Sequence, residues 1–242
     1  MPKFLTKDPP PNNSRAAANP TGSEAIDDYL KAIFQLSGRA ERLVQSKEIA
    51  DHLDITSASV TNMLQKLAML QPPLVTYEKH HGVKLSTSGR KRALEIIRHH
   101  RLIETFLHQV LEYPWDEVHQ EAERLEHFIS ERFEERIATK LGNPEFDPHG
   151  HAIPALDGSI PGHDAKALSQ LAAGQPAHVA SVSDKDPEML RYLAALGVSP
   201  GVRIAIAEQL PFNGPYRVHL GPSDQTTLLS ESLADAILVF AT

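Results

Sequence analysis

The stretch HQEAERLEHFIS, residues 119–130, holds the side chains best suited to chemistry in this chain. On a helix, His119, Glu123, Glu126 and His127 fall at i, i+4, i+7 and i+8 and share one face. That face borders an apolar stripe of Val118, Ala122, Leu125, Ile129 and Phe133, and no Lys or Arg stands at a helical neighbour position of Glu123 or Glu126. The preceding helical pattern repeats the feature, with His100 and Glu104 at i, i+4 among Ile97, Leu107 and Leu111. A further helix near the start adds Asp28 beside the apolar Tyr29. An unpaired buried carboxylate is costly, so such groups are neutralised or compensated, and a divalent cation would compensate them. A lone Glu or His at such a position is usually a satisfied boundary group. Seven Asp, Glu and His residues on three helices, four of them on one face, point instead to a cation site. His80, His81, His99, His108, His149, His151 and His163 lack comparable spacing and read as structural or exposed.

The elements that must position these groups follow from periodicity. Residues 1–22 hold five prolines with Asn, Ser and Gly and read as a disordered leader. From Ser23, a plausible N-cap, Ile26, Tyr29, Leu30, Ile33 and Phe34 form a helical stripe. SKEIADHLDI and TSASVTNMLQKLAML give two short helices separated by a few residues, the spacing of a helix-turn-helix, with Ile49, Leu53, Val60, Leu64 and Leu67 inward. Two strand-like runs then flank His80-His81-Gly82, so the order is that of a winged helix. Longer helices are expected over about Ser88–Leu111 and Asp116–Leu141, with Asp116 as N-cap of the second. The Gly- and Pro-rich segment 143–165 reads as a linker with some local order. Short alternating runs and one short helix, PEMLRYLAALG, suggest a small β-barrel-like domain over 166–242. The expected class is mostly α with a small all-β domain: a winged helix over 23–92, a helical domain over 93–142, and the C-terminal barrel.

A reading helix presents small or polar side chains to base edges in the major groove. The second helix of the pair offers Thr56, Ser57, Ser59, Thr61 and Asn62, with Lys66 further along. Residues 74–101 add Lys79, Lys84, Arg90, Lys91, Arg92, Arg98 and Arg101 against only Glu78 and Glu95, so a basic region adjoins the reading helix. Either feature alone is commonly a set of caps or a solvated face. Together, in winged-helix order, they point to double-stranded DNA. The chain as a whole is acidic, with net charge −7 over 242 residues, which argues against coating nucleic acid along its length. It has no cysteine, hence no thiolate site, disulfide or cysteine nucleophile. No apolar run spans a bilayer and the start lacks a secretory pattern, so a cytosolic protein without membrane contact is the expectation. There is no H-E-x-x-H helix, nucleophile elbow or phosphate loop, so an enzyme is not expected.

The chain resembles the DtxR/MntR family of metal-dependent transcriptional repressors over about residues 23–242. The resemblance rests on DDYLKAIFQL, SVTNMLQKL, LSTSGRKRA, RHHRLIETFL, VHQEAERLEHFIS and DPHGHAIP. The last domain, with LGVSPGVRIAIAEQ and LADAILV, resembles the SH3-like FeoA module of longer members. The resemblance implies a helical dimerisation domain and a homodimer that reads a palindromic operator, controlling metal uptake genes. It implies one metal site at Asp28, Glu123, Glu126 and His127, and a second at His100, Glu104 and His119. It also points to Asp184 and Glu188 as candidate ligands from the C-terminal module. Iron-type members carry Met and Cys where Asp28 and Glu123 stand, whereas manganese-type members carry these carboxylates. Hard oxygen donors suit Mn²⁺, so Mn²⁺ is the expected effector, with Fe²⁺ as the alternative. Manganese-type members commonly have a second acidic residue one turn after Asp28, where this chain has Lys31. Without metal, repulsion among Asp28, Glu123 and Glu126 is expected to loosen the first helix from the fifth. A winged-helix regulator of an organic ligand is the rival, with the charged faces merely ion-paired.

Overall fold

The computed structural model describes residues 23–38, 41–162, 164–221 and 225–241. The expected leader, 1–22, and His163 lie outside the described residues.

Helices α1 (Ser23–Ser37), α2 (Ser46–Leu53) and α3 (Ser57–Met69) form the first unit with the hairpin β1 (Val75–Glu78) and β2 (Gly82–Leu85). Their apolar stripes meet in one core of Tyr29, Leu30, Ile33, Ile49, Val60, Leu64, Leu67, Val75 and Val83. Asp54 ends α2 in the left-handed region at φ 52°, and Thr56 starts α3 by accepting a hydrogen bond from Ser59 N at 3.2 Å. This turn makes the helix-turn-helix. Gly82 opens β2 at φ +120°, and a Cβ there would meet Val44 O at 2.8 Å. Glycine is therefore required where the hairpin closes on Val44.

Helix α4 runs unbroken from Thr87 to Leu111, through the expected boundary at 92/93, capped by Ser86. One rigid rod thus joins the winged helix to the helical unit. The single helix expected over Asp116–Leu141 is instead two, α5 (Val118–Leu125) and α6 (Glu131–Lys140). Ser130 restarts the chain by capping α6 at Phe133 N. The break resets the helical phase after Leu125, and the expected stripe is kept only in part: Ile129 still packs beside Val118 and Ala122, whereas Phe133 does not. Val118 and Ala122 are buried, whereas Leu125 and Phe133 are exposed. Asp116 does not cap α5; its carboxylate pairs with Arg191 at 2.8 Å.

In the C-terminal unit, β3 (Lys166–Ala167), β4 (Pro176–Val182), β5 (Arg203–Gln209), β6 (Tyr216–Leu220), β7 (Gln225–Leu229) and β8 (Ile237–Ala241) form an antiparallel sheet of order β3-β8-β4-β5-β6-β7. Helices α7 (Pro187–Leu196) and α8 (Glu231–Asp235) complete it. Register shifts at Val179/Ser181 and Ile206/Glu208 mark bulges that bend the sheet. This is the small all-β domain expected.

The segment after α6 is more than a linker. Asp147 Oδ1 accepts hydrogen bonds from His149 N and His151 N, and Val182 N donates to His149 O at 2.9 Å. Gly150, at φ +87°, lies so close to β4 that a Cβ would stand 2.1 Å from Ala180 O. Among the described residues no helix is long and apolar enough to cross a membrane.

Candidate metal centre

Among the described residues, three groups of Asp, Glu and His place donor atoms within 4.8 Å of one another: Asp28–Glu126–His127, His100–Glu104–His119–Asp184, and Asp147–His149–His151. In the first, His127 Nε2 stands 3.3 Å from Asp28 Oδ1 and 3.5 Å from Glu126 Oε1. The break between α5 and α6 turns Glu126 and His127 toward α1. Asp27 sits behind the imidazole, 3.5 Å from His127 Nδ1, and is itself held by Arg92 Nε at 2.6 Å. A carboxylate behind a histidine fixes ring orientation and raises basicity, as is usual for metal-ligating imidazoles. Burial alone would lower the His127 pKa, but bonding to Asp27 and Asp28 and the charge of Glu126 raise it to about 10. Asp27 was not singled out in the sequence, although its place one residue before Asp28 was visible.

Glu123 does not join this group. Its side chain is 42% exposed and lies 3.6 Å from His119 Nε2. The repulsion expected among Asp28, Glu123 and Glu126 is largely offset in this arrangement. Glu123 points away, and both oxygens of Glu126 accept from Lys31 Nζ at 2.9 Å. His100 Nδ1 also bonds Glu126 Oε2. Burial works to raise the Glu126 pKa, yet His100 and Lys31 hold it below the usual range.

The second group is centred on Glu104, which is wholly buried on α4. His100 Nε2 lies 3.0 Å from Glu104 Oε1 and 3.0 Å from His119 Nδ1, and His119 Nδ1 lies 3.2 Å from Glu104 Oε1. Asp184, after β4, closes the group at 3.6 Å from His119 Nδ1. Glu188 does not; it is exposed in the first turn of α7, where its backbone N–H bonds Asp186. Burial pushes His100 down, but the charge of Glu104 together with hydrogen bonds to Glu104 and Glu126 raises its pKa to about 9. The same pairing holds Glu104 well below the usual carboxylate range despite burial.

The third group adjoins the second. His149 Nδ1 is 3.8 Å from Glu104 Oε1, and His151 Nδ1 is 3.5 Å from Asp184 Oδ2. His149 is fully buried, and His99 is also buried, bonding the Glu126 carbonyl and Glu134. His149 and His151 were read as structural or exposed because isolated spacing in a loop carries no face. In the second and third groups, buried atoms without a hydrogen-bond partner include Glu104 Oε2, Asp147 Oδ2 and His149 Nδ1. Native interiors rarely leave such atoms unpaired. Their convergence on these groups, all with nitrogen and oxygen donors, fits a bound divalent cation.

Most of the residues expected to face DNA are exposed. Thr56, Ser57, Ser59, Asn62 and Lys66 are exposed on α3, Lys79 at the hairpin turn and Lys84 on β2. Thr61 is half-buried and donates to Ser57 O at 3.0 Å, while Thr56 Oγ1 caps α3. The basic run is only partly available. Arg90 pairs with Glu41, Arg92 with Asp27, Arg98 with Glu134, and Arg101 bonds Ala152 O. Charge density in sequence overstated the patch because four of its seven cations have internal carboxylate or carbonyl partners.

Comparison with known proteins agrees with this architecture. Residues 23–83 match the model for the iron-dependent repressor N-terminal DNA binding domain. Residues 86–155 match the iron-dependent repressor metal binding and dimerisation domain, and 166–240 match the FeoA domain. The iron-dependent repressor IdeR of Mycobacterium tuberculosis is 31% identical over 228 residues, 89% of this chain and 96% of its own length. A solved structure described as a manganese-dependent transcriptional repressor in complex with manganese is 39% identical, with a TM-score of 0.83 over 90% of this chain and 100% of its own. The crystal structure of ScaR with bound Zn²⁺ is 32% identical, with a TM-score of 0.74 over 90% of this chain and 99% of its own. The chain therefore belongs to the DtxR/MntR family of metal-dependent transcriptional repressors, in its three-domain form with a FeoA-type C-terminal domain.

Proposed function

We propose that the chain is a manganese-responsive repressor that binds palindromic operators as a metal-loaded homodimer and controls metal uptake genes. The observation that carries the choice of metal is the donor set of the first group. Asp28, Glu126 and His127 offer two carboxylates and an imidazole, and the sequence has no cysteine to supply a thiolate. Hard donors favour Mn²⁺, whereas thiolate or thioether would favour softer metals. Fe²⁺ is the second reading, supported by the iron-dependent relatives that match 89% of the chain.

A divalent cation bound here supplies positive charge that ties α1 to the turn between α5 and α6. Asp28 is the ligand from the DNA-binding unit, and Glu126 and His127 are those from the helical unit. His100, Glu104, His119 and Asp184 form the second site, with His149, His151 and Asp147 at its margin. Because Asp184 follows β4, this site also anchors the C-terminal domain. Fixing α1 sets the spacing of two α3 helices in a dimer, which must reach major grooves ~34 Å apart. Asn62 and the hydroxyls of Ser57 and Ser59 are the base-reading groups, and Lys66, Lys79 and Lys84 contact phosphates.

The test is operator binding followed by fluorescence anisotropy with Mn²⁺, Fe²⁺ or chelator present. Mn²⁺ should tighten binding about 100-fold, the upper range of allosteric coupling. Asp28→Ala should abolish the effect. Asp28→Met, which puts a thioether into the first group, should move preference toward Fe²⁺. Equal binding with and without chelator would refute the proposal.

A further inference from the structure

Lys31 places an ammonium group inside this centre. Its Nζ, on α1 one turn after Asp28, stands 2.9 Å from each oxygen of Glu126 and 3.3 Å from His100 Nδ1. Its side chain is 12% exposed and that of Glu126 is 1% exposed, so water does little to weaken the pairing. Two carboxylate oxygens and one imidazole nitrogen are the donors a divalent ion would seek. Here they surround an ammonium, which has three N–H donors and no lone pair with which to bind a metal. Glu126 Oε1 also lies 3.5 Å from His127 Nε2, so one carboxylate faces two cation positions. One is the Asp28–Glu126–His127 group. The other, between Glu126 and His100, is filled.

We propose that Lys31 is a resident cation of the metal centre, which occupies the Glu126–His100 position and limits the first site to a single divalent ion. This rests on the reading of Asp28, Glu126 and His127 as that site. A carboxylate has about four lone-pair directions, so Glu126 can bind an ion through Oε1 while Lys31 keeps Oε2. A second divalent ion against Glu126 would meet a fixed positive charge within contact distance. The lysine also bonds α1 to the α5–α6 turn when no ion is bound, so the metal-free chain keeps part of the docked arrangement.

The experiment counts Mn²⁺ per chain after equilibrium dialysis, by elemental analysis, and records the EPR spectrum of each loaded protein. Wild type and Lys31→Arg, which preserves the charge, should give the same count and spectra of magnetically isolated ions. Lys31→Glu should take up one more Mn²⁺ per chain, with an exchange-coupled signal from two ions sharing Glu126. An ordinary structural salt bridge would not change the count. An unchanged count and uncoupled spectrum in folded Lys31→Glu, or a coupled pair in wild type, overturns the inference. If Lys31→Glu fails to fold, Lys31→Gln decides. Loss of the charge should tighten first-site Mn²⁺ binding roughly tenfold, since a neighbouring like charge opposes the ion, and an unchanged affinity overturns the inference. Asp28→Ala separates the two levels. It should lower the wild-type count by one, and if it does not, the reading of the first site fails rather than the role of Lys31 alone.

Discussion

Replacing Glu104 with Gln should change how the metal-free protein responds to pH. Glu104 is fully buried and its Oε1 lies 3.0 Å from His100 Nε2. It is the main reason His100 stands at about 9 rather than 6.5, against the opposing effect of burial. A pKa raised by folding stabilises the native state fully below the unfolded value and ceases to do so as pH rises through the folded value. Going from 6.5 to about 9 corresponds to ~3 kcal/mol. That stability is present below pH 6.5 and lost by about pH 9. Gln keeps the volume and a hydrogen bond but removes the charge, while Glu126 still faces the other ring nitrogen. The variant's pH slope should therefore be shallower by about 1–2 kcal/mol across this window. Above pH 9 the wild type holds a buried carboxylate beside a neutral ring, so the variant should be no less stable. The assay is urea denaturation in chelator at pH 6.5 to 9.5, followed by the fluorescence of Trp115. Trp115 is the one tryptophan of the sequence and stacks on His149, with ring centroids 5.7 Å apart. His149 lies 3.8 Å from Glu104, so the probe reports this region. Parallel stability curves for wild type and variant would refute the charge argument.

Three further outcomes are expected. His127 at about 10 and His100 at about 9 are protonated in the metal-free chain at neutral pH. Because ligation requires neutral rings, calorimetry in two buffers at pH 7.5 should show about one proton released per Mn²⁺, and buffer-independent heats would contradict this. Asn62→Ala should relax discrimination at one operator position by about 1–3 kcal/mol, whereas Lys84→Ala should weaken all sequences alike and reduce the salt slope by about 1 in filter-binding or anisotropy titrations. Gly150→Ala should detach the 147–151 loop from β4, because its Cβ would meet Ala180 O at 2.1 Å and its φ is +87°. Faster proteolysis after α6 and a larger radius in small-angle scattering would report it.

The winged helix was legible because local rules and packing agree there. The Ile49, Val60, Leu64 and Leu67 pattern predicted the inward faces, and these residues form the core observed. The pairing of His100 with Glu104 was also legible, since their i, i+4 spacing survives in α4, whereas the addition of His119 came from the family resemblance. What failed was continuity through Glu126–Ser130. The sequence there keeps helical composition, and only Ser130 as a cap and the exposed Leu125 and Phe133 reveal the break. That break matters for function, because it aims Glu126 and His127 at α1 and leaves Glu123 toward His119. The 147–151 loop was illegible for a different reason. Its buried histidines are fixed by backbone bonds to Asp147 and by contact with β4, which are long-range facts that no local period encodes.

His100 touches both candidate metal groups. Its Nδ1 faces Glu126 of the first group, and its Nε2 faces Glu104 and His119 of the second. An imidazole that gives Nε2 to a metal keeps its proton on Nδ1, where it donates to Glu126. Loading the second site therefore holds Glu126 in place from behind, while Lys31 holds it from α1. Asp184 reaches the second group from the C-terminal domain, so that domain should influence a site it does not touch. The expectation is that Asp184→Ala weakens Mn²⁺ at the second site directly and at the first site by a smaller factor, within the 5- to 150-fold range typical of coupled sites. Resolving the two steps by calorimetry checks this. A first-site affinity in Asp184→Ala identical to wild type would mean that the ring does not transmit, and the groups would then act independently despite sharing it.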